Sequence, residues 1–174
     1  MLRKLGPRRR RLTEGRFAIV ASRYNARYVD ALLRHARTEL ESAGARRIRV
    51  VRVPGAFEIP VVAARLITAE QPPPAVVICL GVVFQGETAH ARHIGDAVSR
   101  ALADLQLLHQ VPVIHGVYLF DNEEQARVRC LGKRHNRGRE LARTALDMAE
   151  VMSRLRPGDG CGTVRGCPDA RRRA

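Results

Sequence analysis

The chain has 174 residues, 45% of them hydrophobic and only 4% aromatic, and a formal net charge of +14. That length suggests one domain of ordinary size, with a core of Ala, Val, Leu and Ile because there is no Trp. No apolar run reaches the roughly 18 residues of a membrane-spanning helix, and the basic start Met1–Leu12 has no apolar stretch behind it, so it does not read as a secretory signal. The charge is unevenly spread. Residues 1–12 hold six Arg or Lys and no acid, and residues 157–174 hold four Arg and two Asp. The expected organisation is therefore a basic flexible tail (1–14), an α/β domain (15–156) and a Gly/Arg-rich flexible tail (157–174).

Apolar runs and helical periods alternate along the domain. Phe17–Ala21 is a short apolar strand. From Val29 the apolar positions 29, 32, 33, 36, 40 and 43 have helical spacing, and Gly44 can cap the end. Ile48–Val53 is a β-branched strand with Arg49 and Arg52 interleaved, stopped by Pro54-Gly55. Ile59–Ala69 reads as a helix with Pro60 in its first turn, and the prolines at 72–74 break the chain. Ala75–Phe84 is the longest apolar run, as expected of a central strand buried on both faces. His90–Leu108 is a helix, Val111–Leu119 a strand, and Asp121 with Glu124 three residues on reads as an N-cap and its capping-box partner. Asn136–Leu155 is a long final helix ended by Pro157-Gly158.

Strand and helix in repeated alternation predict a parallel sheet of four strands with helices on both faces. Ligands of open α/β sheets sit beyond the carboxyl ends of the strands. The segments to watch are therefore Ser22-Arg23-Tyr24-Asn25, Pro54 to Glu58, Gln85 to His90, and His115 to Phe120. The third of these is the most informative. In Gly81–His90, G-V-V-F-Q-G-E-T-A-H, an apolar run ends in a Gly turn and a His follows four residues after Gly86. Gly86 lets a ligand approach the backbone, Glu87 and Thr88 offer N–H groups to a phosphate at a helix start, and His90 can exchange protons near neutral pH. Tyr24 can stack on a flat ring, Gly55-Ala56 exposes backbone groups, Glu58 suits hydroxyls, and Arg129 and Arg137 can close over an anion. Each feature alone also fits a strand-to-helix connection, a helix cap or a solvated surface residue.

Cys79 lies in an apolar run and reads as a buried small hydrophobe. Cys161 and Cys167 lack the spacing and His partners of a zinc site. A cytoplasmic protein with free thiols is expected. The basic arm leaves open the recruitment of RNA, another polyanion or an acidic partner, although no aromatic residue interleaves the tail arginines.

Taken together, S-R-Y-N at 22–25, P-G-A-F-E-I-P at 54–60, G-V-V-F-Q-G-E-T-A-H at 81–90, V-P-V-I at 111–114 and D-N-E-E-Q-A at 121–126 make the chain resemble the lumazine synthase family. Arg129, Lys133, Asn136, Gly138 and Ala145-Leu-Asp-Met148 extend the likeness in colinear order over residues 16–155, with the tails outside it. The resemblance implies a three-layer αβα sandwich, flavodoxin-like, with a central four-stranded parallel sheet. It also implies a transferase of riboflavin biosynthesis. Such an enzyme condenses 5-amino-6-(D-ribitylamino)uracil with 3,4-dihydroxy-2-butanone 4-phosphate to 6,7-dimethyl-8-ribityllumazine, releasing phosphate and water, without metal or organic cofactor.

By position, the resemblance makes His90 the proton-transfer residue and Arg129 the phosphate ligand, together with the backbone of Gly86, Glu87 and Thr88. Tyr24, followed by Asn25, takes the place of the aromatic stacked on the pyrimidine. Gly55, Ala56, Phe57 and Glu58 match the ribityl-chain contacts, Val82, Val83, Ile114 and His115 the pocket wall, and Arg137 a Lys near the pyrimidinedione. Sites in this family lie between neighbouring subunits of a homopentamer, with Arg129 and Arg137 supplied across the interface. Some members pair pentamers or assemble twelve of them into a hollow 60-subunit shell.

Departures cluster around the same positions. Ala91-Arg92-His93-Ile94 replaces the usual aromatic-Asp-Tyr-Val after the His, and Gln85 replaces a frequent Arg. His115 replaces Phe, Phe120 a Thr, Val128 a Glu, and Leu131 and His135 glycines. Two alternatives therefore stand beside the ordinary enzyme. One is a diverged paralogue with another substrate or a flavin-like ligand; the other is a shell protein whose basic tails hold polyanionic cargo.

Overall fold

A computed structural model describes residues 15–132 and 136–155. Four strands, β1 (Arg16–Ser22), β2 (Arg47–Val53), β3 (Val76–Phe84) and β4 (Val113–Phe120), form one wholly parallel sheet in the order β2-β1-β3-β4. The helices are α1 (Ala26–Ser42), α2 (Ile59–Ala69), α3 (His90–His109), the short α4 (Glu123–Ala126), which winds on as a π-helical turn over Arg127–Leu131, and α5 (Arg137–Arg154). The chain steps from β1 to β2 in one direction and from β2 across β1 to β3 in the other. Right-handed crossovers then require α1 on one face and α2 and α3 on the other.

The two cores show that division. Phe17, Ile19, Ile78 and Leu80 point to the side of α1 and α5, where Leu32, Leu40, Leu141 and Leu146 meet them. Ala18, Val20, Val77 and Cys79 point to the side of α2 and α3, against Ile59, Ala63, Val98 and Leu102. The sandwich read from the sequence is thus present, with its two central strands, β1 and β3, the most buried. α5 approaches α1 closely because Gly138 has no side chain: a Cβ there would lie 2.2 Å from the Leu32 carbonyl oxygen. Gly44 ends α1 with a φ of 93°, a conformation Gly adopts at little steric cost.

Two expectations change. The cap of α4 is Asn122, whose side chain accepts from the Gln125 N–H at 3.0 Å. Asp121 instead exchanges hydrogen bonds with the Gln125 side chain, through its own N–H and through its carboxylate. The extended backbone needed at a cap falls one residue later because β4 runs on to Phe120. His115–Phe120 is the strand itself, as the apolar run 111–119 already implies, and not a segment beyond its end. The expectations for residues 1–14 and 157–174, and for Lys133, His135, Cys161 and Cys167, lie outside the described residues. No helix among the described residues is long and apolar enough to cross a membrane.

Candidate active site

The strand order reverses between β1 and β3, so a crevice opens beyond their carboxyl ends. Asn25 occupies that point. It takes the left-handed conformation (φ 55°) that Asn tolerates better than most residues, and its amide donates to the Val82 carbonyl at 2.8 Å. This ties the end of β1 to β3. From β2, the Arg23 N–H donates to the Val53 carbonyl at 2.8 Å and the Tyr24 N–H to the Pro54 carbonyl at 3.0 Å. The three strand ends are thereby held together by the Asn25 side chain and by backbone hydrogen bonds.

Tyr24 lies against Gly55, where a Cβ would come within 3.2 Å of the ring. Tyr24 is 71% exposed, and Phe57, two residues past Gly55, is 61% exposed. Two open aromatic rings at a sheet's carboxyl end suit a flat ligand. The Glu58 carboxylate accepts from the Gly55 N–H at 2.8 Å, which shapes the turn as well as presenting a negative charge. Ala56 is buried over Gly81, which leaves room for it by having no side chain.

After β3 the loop 85–89 is open, and Gly86 has nothing within 4 Å of where a Cβ would stand. Gln85 shapes this loop: its N–H donates to the Phe120 carbonyl at 2.8 Å, and its side-chain amide donates to the Gly86 and Thr88 carbonyls, each at 2.9 Å. With those carbonyls engaged, the turn of Gly86, Glu87 and Thr88 faces solvent just ahead of α3. The Thr88 hydroxyl accepts from the His90 N–H at 3.4 Å, and His90 is the first, exposed residue of the helix. Tyr24, Gly55, Phe57, Glu58, the 86–88 turn and His90 thus share one end of the sheet.

The remaining candidates lie elsewhere: Ile114 and His115 back along β4, Arg129 and Arg137 on the α1/α5 face. Ile114 and His115 stand in register with Ile78 and Cys79, whereas Phe120 pairs with Phe84. At about 3.3 Å per residue they lie roughly 17 Å back from the carboxyl end of the sheet. Ile114 is buried toward α1 and α5, as is the Val82 side chain, while Val83 is half-buried on the α2/α3 side. His115 is hydrogen-bonded through Nε2 to Ser99 of α3 at 2.8 Å. Because the Ser99 hydroxyl donates to the Gly95 carbonyl at 2.7 Å, Nε2 is the donor to Ser99. Burial against α3 lowers the pKa of His115, with a backbone hydrogen bond opposing.

On the other face, Arg129 in the π-helical turn and Arg137 at the start of α5 flank Tyr118, whose hydroxyl is pushed up to about 12, chiefly by burial. Arg137 pairs with Glu140. Asn136 connects the two arginine-bearing segments. Its Oδ1 accepts from the Gly138 N–H at 2.9 Å, and its Nδ2 donates to the Cys130 carbonyl at 2.5 Å. Sequence reasoning passed over Ser99 and Tyr118. Neither belongs to a motif, and each matters only through a partner distant in the chain. Among the described residues no three His, Cys, Asp or Glu side chains gather as metal ligands would.

Comparison with known proteins bears directly on these two groups of residues. The family model for 6,7-dimethyl-8-ribityllumazine synthase matches residues 14–153. A protein of that name from Stenotrophomonas maltophilia (strain R551-3) is 42% identical over 142 residues, covering 80% of this chain and 90% of its own length. Another from Xanthomonas campestris pv. campestris (strain B100) is 42% identical over 147 residues, covering 83% and 94%. A third, from Xanthomonas oryzae pv. oryzae (strain PXO99A), is 42% identical over 142 residues, covering 80% and 91%. The match spans every strand and both groups of candidate residues, and the chain belongs to the 6,7-dimethyl-8-ribityllumazine synthase family.

Proposed function

We propose that this chain condenses 5-amino-6-(D-ribitylamino)uracil with 3,4-dihydroxy-2-butanone 4-phosphate, and that each active site is built from two copies of it. The observation that carries the reading is the split just described. One copy offers an aromatic platform, an open phosphate-sized turn and His90 at the sheet's carboxyl end. Ile114 and His115 lie back along β4, and Arg129 and Arg137 sit by Tyr118 on the α1/α5 face, the face opposite His90 and α3. β4 is an edge strand, so a neighbour in a closed ring can present its β4 edge to the crevice. A homopentamer, alone or in larger shells, fits the family resemblance.

In this reading the pyrimidine stacks on Tyr24 and the ribityl hydroxyls meet Glu58 and the Gly55–Phe57 backbone. The neighbour's Arg137 and His115 line the far side of the ring. The phosphate rests on the Gly86–Thr88 N–H groups under the neighbour's Arg129, a pairing of guanidinium and phosphate that is strong and directional. The amine attacks the ketone and water leaves to give an imine. Phosphate then departs by elimination, and ring closure expels a second water. His90, beside the phosphate turn, moves the protons of these steps, and the site holds two reactants together that otherwise meet by diffusion. Replacing Phe by His115 makes the wall more polar, which the neutral imidazole fixed by Ser99 tolerates.

The experiment is an absorbance and fluorescence time course of lumazine formation, run beside the uncatalysed condensation. Catalysis well above background supports the reading. A rate equal to background would favour the diverged paralogue, and substituting Phe for His115 would then test whether ordinary activity returns.

A further inference from the structure

Gln85 stands between β3 and the turn assigned to the phosphate, and no step of the proposed chemistry uses its side chain. Its backbone is fixed first. The Gln85 N–H donates to the Phe120 carbonyl at 2.8 Å, which ties it to the end of β4. From that anchor the side chain folds over the turn that follows. Its Nε2 donates to the Gly86 carbonyl and to the Thr88 carbonyl, each at 2.9 Å. A primary amide carries two N–H donors, so both are spent on backbone oxygens.

Those two oxygens decide what an anion meets in the turn. A carbonyl oxygen carries partial negative charge and repels a phosphate. In a trans peptide the C=O and the N–H point in opposite directions. Holding the Gly86 and Thr88 oxygens on the amide therefore turns the Glu87 and Ala89 N–H groups away from Gln85, in a stretch where residues 86–89 are exposed. Ala89, at the N-cap of α3, has no side-chain acceptor of its own, and the first turn of the helix holds no acid. Where the lumazine synthase family frequently has an Arg, this chain has a neutral amide. Arg would supply donors for the same two oxygens and add a positive charge. Gln engages the oxygens without that charge, which leaves the phosphate's charge to backbone N–H groups and to the neighbour's Arg129.

We propose that Gln85 is a positioning residue for the phosphate of the butanone substrate. It holds the Gly86 and Thr88 carbonyls out of the anion's way and does not touch the anion itself. The proposal rests on the reading of this turn as the phosphate seat.

Three variants of the full-length protein test this. Gln85→Met keeps the length of the side chain and loses both donors. Gln85→Glu loses them as well and sets a carboxylate against the two oxygens. Gln85→Arg keeps donors. In steady-state lumazine formation, Gln85→Met should raise the KM for the butanone phosphate about fivefold, the effect of two solvent-exposed hydrogen bonds. Gln85→Glu should raise it further, and Gln85→Arg should stay within about twofold of wild type. The KM for the pyrimidine should not move in any of them, whereas a merely loosened fold would shift both constants together. Titration calorimetry with inorganic phosphate supplies a readout that needs no turnover. Its Kd should follow the same order, weakest in Glu, then Met, then Arg and wild type. If both KM values rise together, or if Arg is no better than Met, Gln85 only braces the loop and the proposal fails. Equal phosphate affinity in wild type and Met, or no phosphate binding by wild type, would also overturn it. If no lumazine forms and the order of Kd values holds, the reaction assigned to the site is wrong and the positioning role stands.

Discussion

Asn136 is the residue whose removal tests most of the site's architecture at once. It is 3% exposed and serves both sides of the turn between Arg129 and Arg137. Its Oδ1 caps α5 by accepting from the Gly138 N–H at 2.9 Å and the Arg139 N–H at 3.4 Å. Its Nδ2 satisfies the Cys130 carbonyl. Asn136→Ala loses the cap, about 1 kcal/mol, and orphans a carbonyl beside a buried residue, about 1–3 kcal/mol. Together these give about 2–4 kcal/mol. Asn136→Ser keeps an acceptor for the cap and loses only the donor to Cys130, so it should fall between wild type and Ala. Urea unfolding at one fixed protein concentration measures both, since an assembly's stability depends on concentration. The same peg positions two cationic side chains, so the KM for the butanone phosphate should rise more than kcat falls. An Ala variant losing less than about 1 kcal/mol, or a Ser variant falling as far as Ala, would refute the double role.

Three further expectations follow from the same geometry. The pKa of His115 is lowered by burial, so its neutral form stabilises the fold above the ordinary His pKa, and that contribution is lost as pH falls through the lowered value. The urea midpoint of His115→Phe should therefore decline less than wild type between neutral and mildly acidic pH; parallel declines would show that His115 is not the group responsible. In Gly55→Ala the new Cβ would lie 2.8 Å from Glu58 Oε2 and 3.2 Å from Tyr24 Cδ2. Both neighbours are side chains that can shift, so stability should fall by about 1 kcal/mol while the KM for the pyrimidine rises several-fold; an unchanged KM would remove Tyr24 from the ring platform. Gly138→Ala meets the Leu32 backbone at 2.2 Å instead, so α1 and α5 must part and the cost should reach about 3 kcal/mol by urea unfolding.

The layered fold was legible because each strand is a short apolar run and each helix has its own period, and both signals are local. The carboxyl-end residues were legible for the same reason: Tyr24, Gly55 and Gly86 follow strands directly, and the sheet's switch point gathers them. His115 falls inside the apolar run 111–119, so its place within β4 follows from that run, and the segment beyond the strand begins only at Asp121. The cap of α4 shifted from Asp121 to Asn122 because β4 extends one residue further than its apolar run suggests. The sorting of the β2 arginines to opposite faces was hidden in the sequence in a similar way. Arg49 and Arg52 look alike in β2, yet alternation sends Arg49 to Glu70 on the α2 side and Arg52 to Asp30 of α1.

A site shared between copies makes a demand that no single-chain site can meet. His90→Ala and Arg129→Ala should each form lumazine slowly when pure. Unfolded together in equal amounts and reassembled, they should recover about a quarter of wild-type activity, because random mixing in a ring completes about one interface in four with both residues intact. Reassembly that restores wild-type-like assemblies but only the sum of the two impaired rates would place His90 and Arg129 in the same chain's site, or outside the chemistry, and would contradict the account.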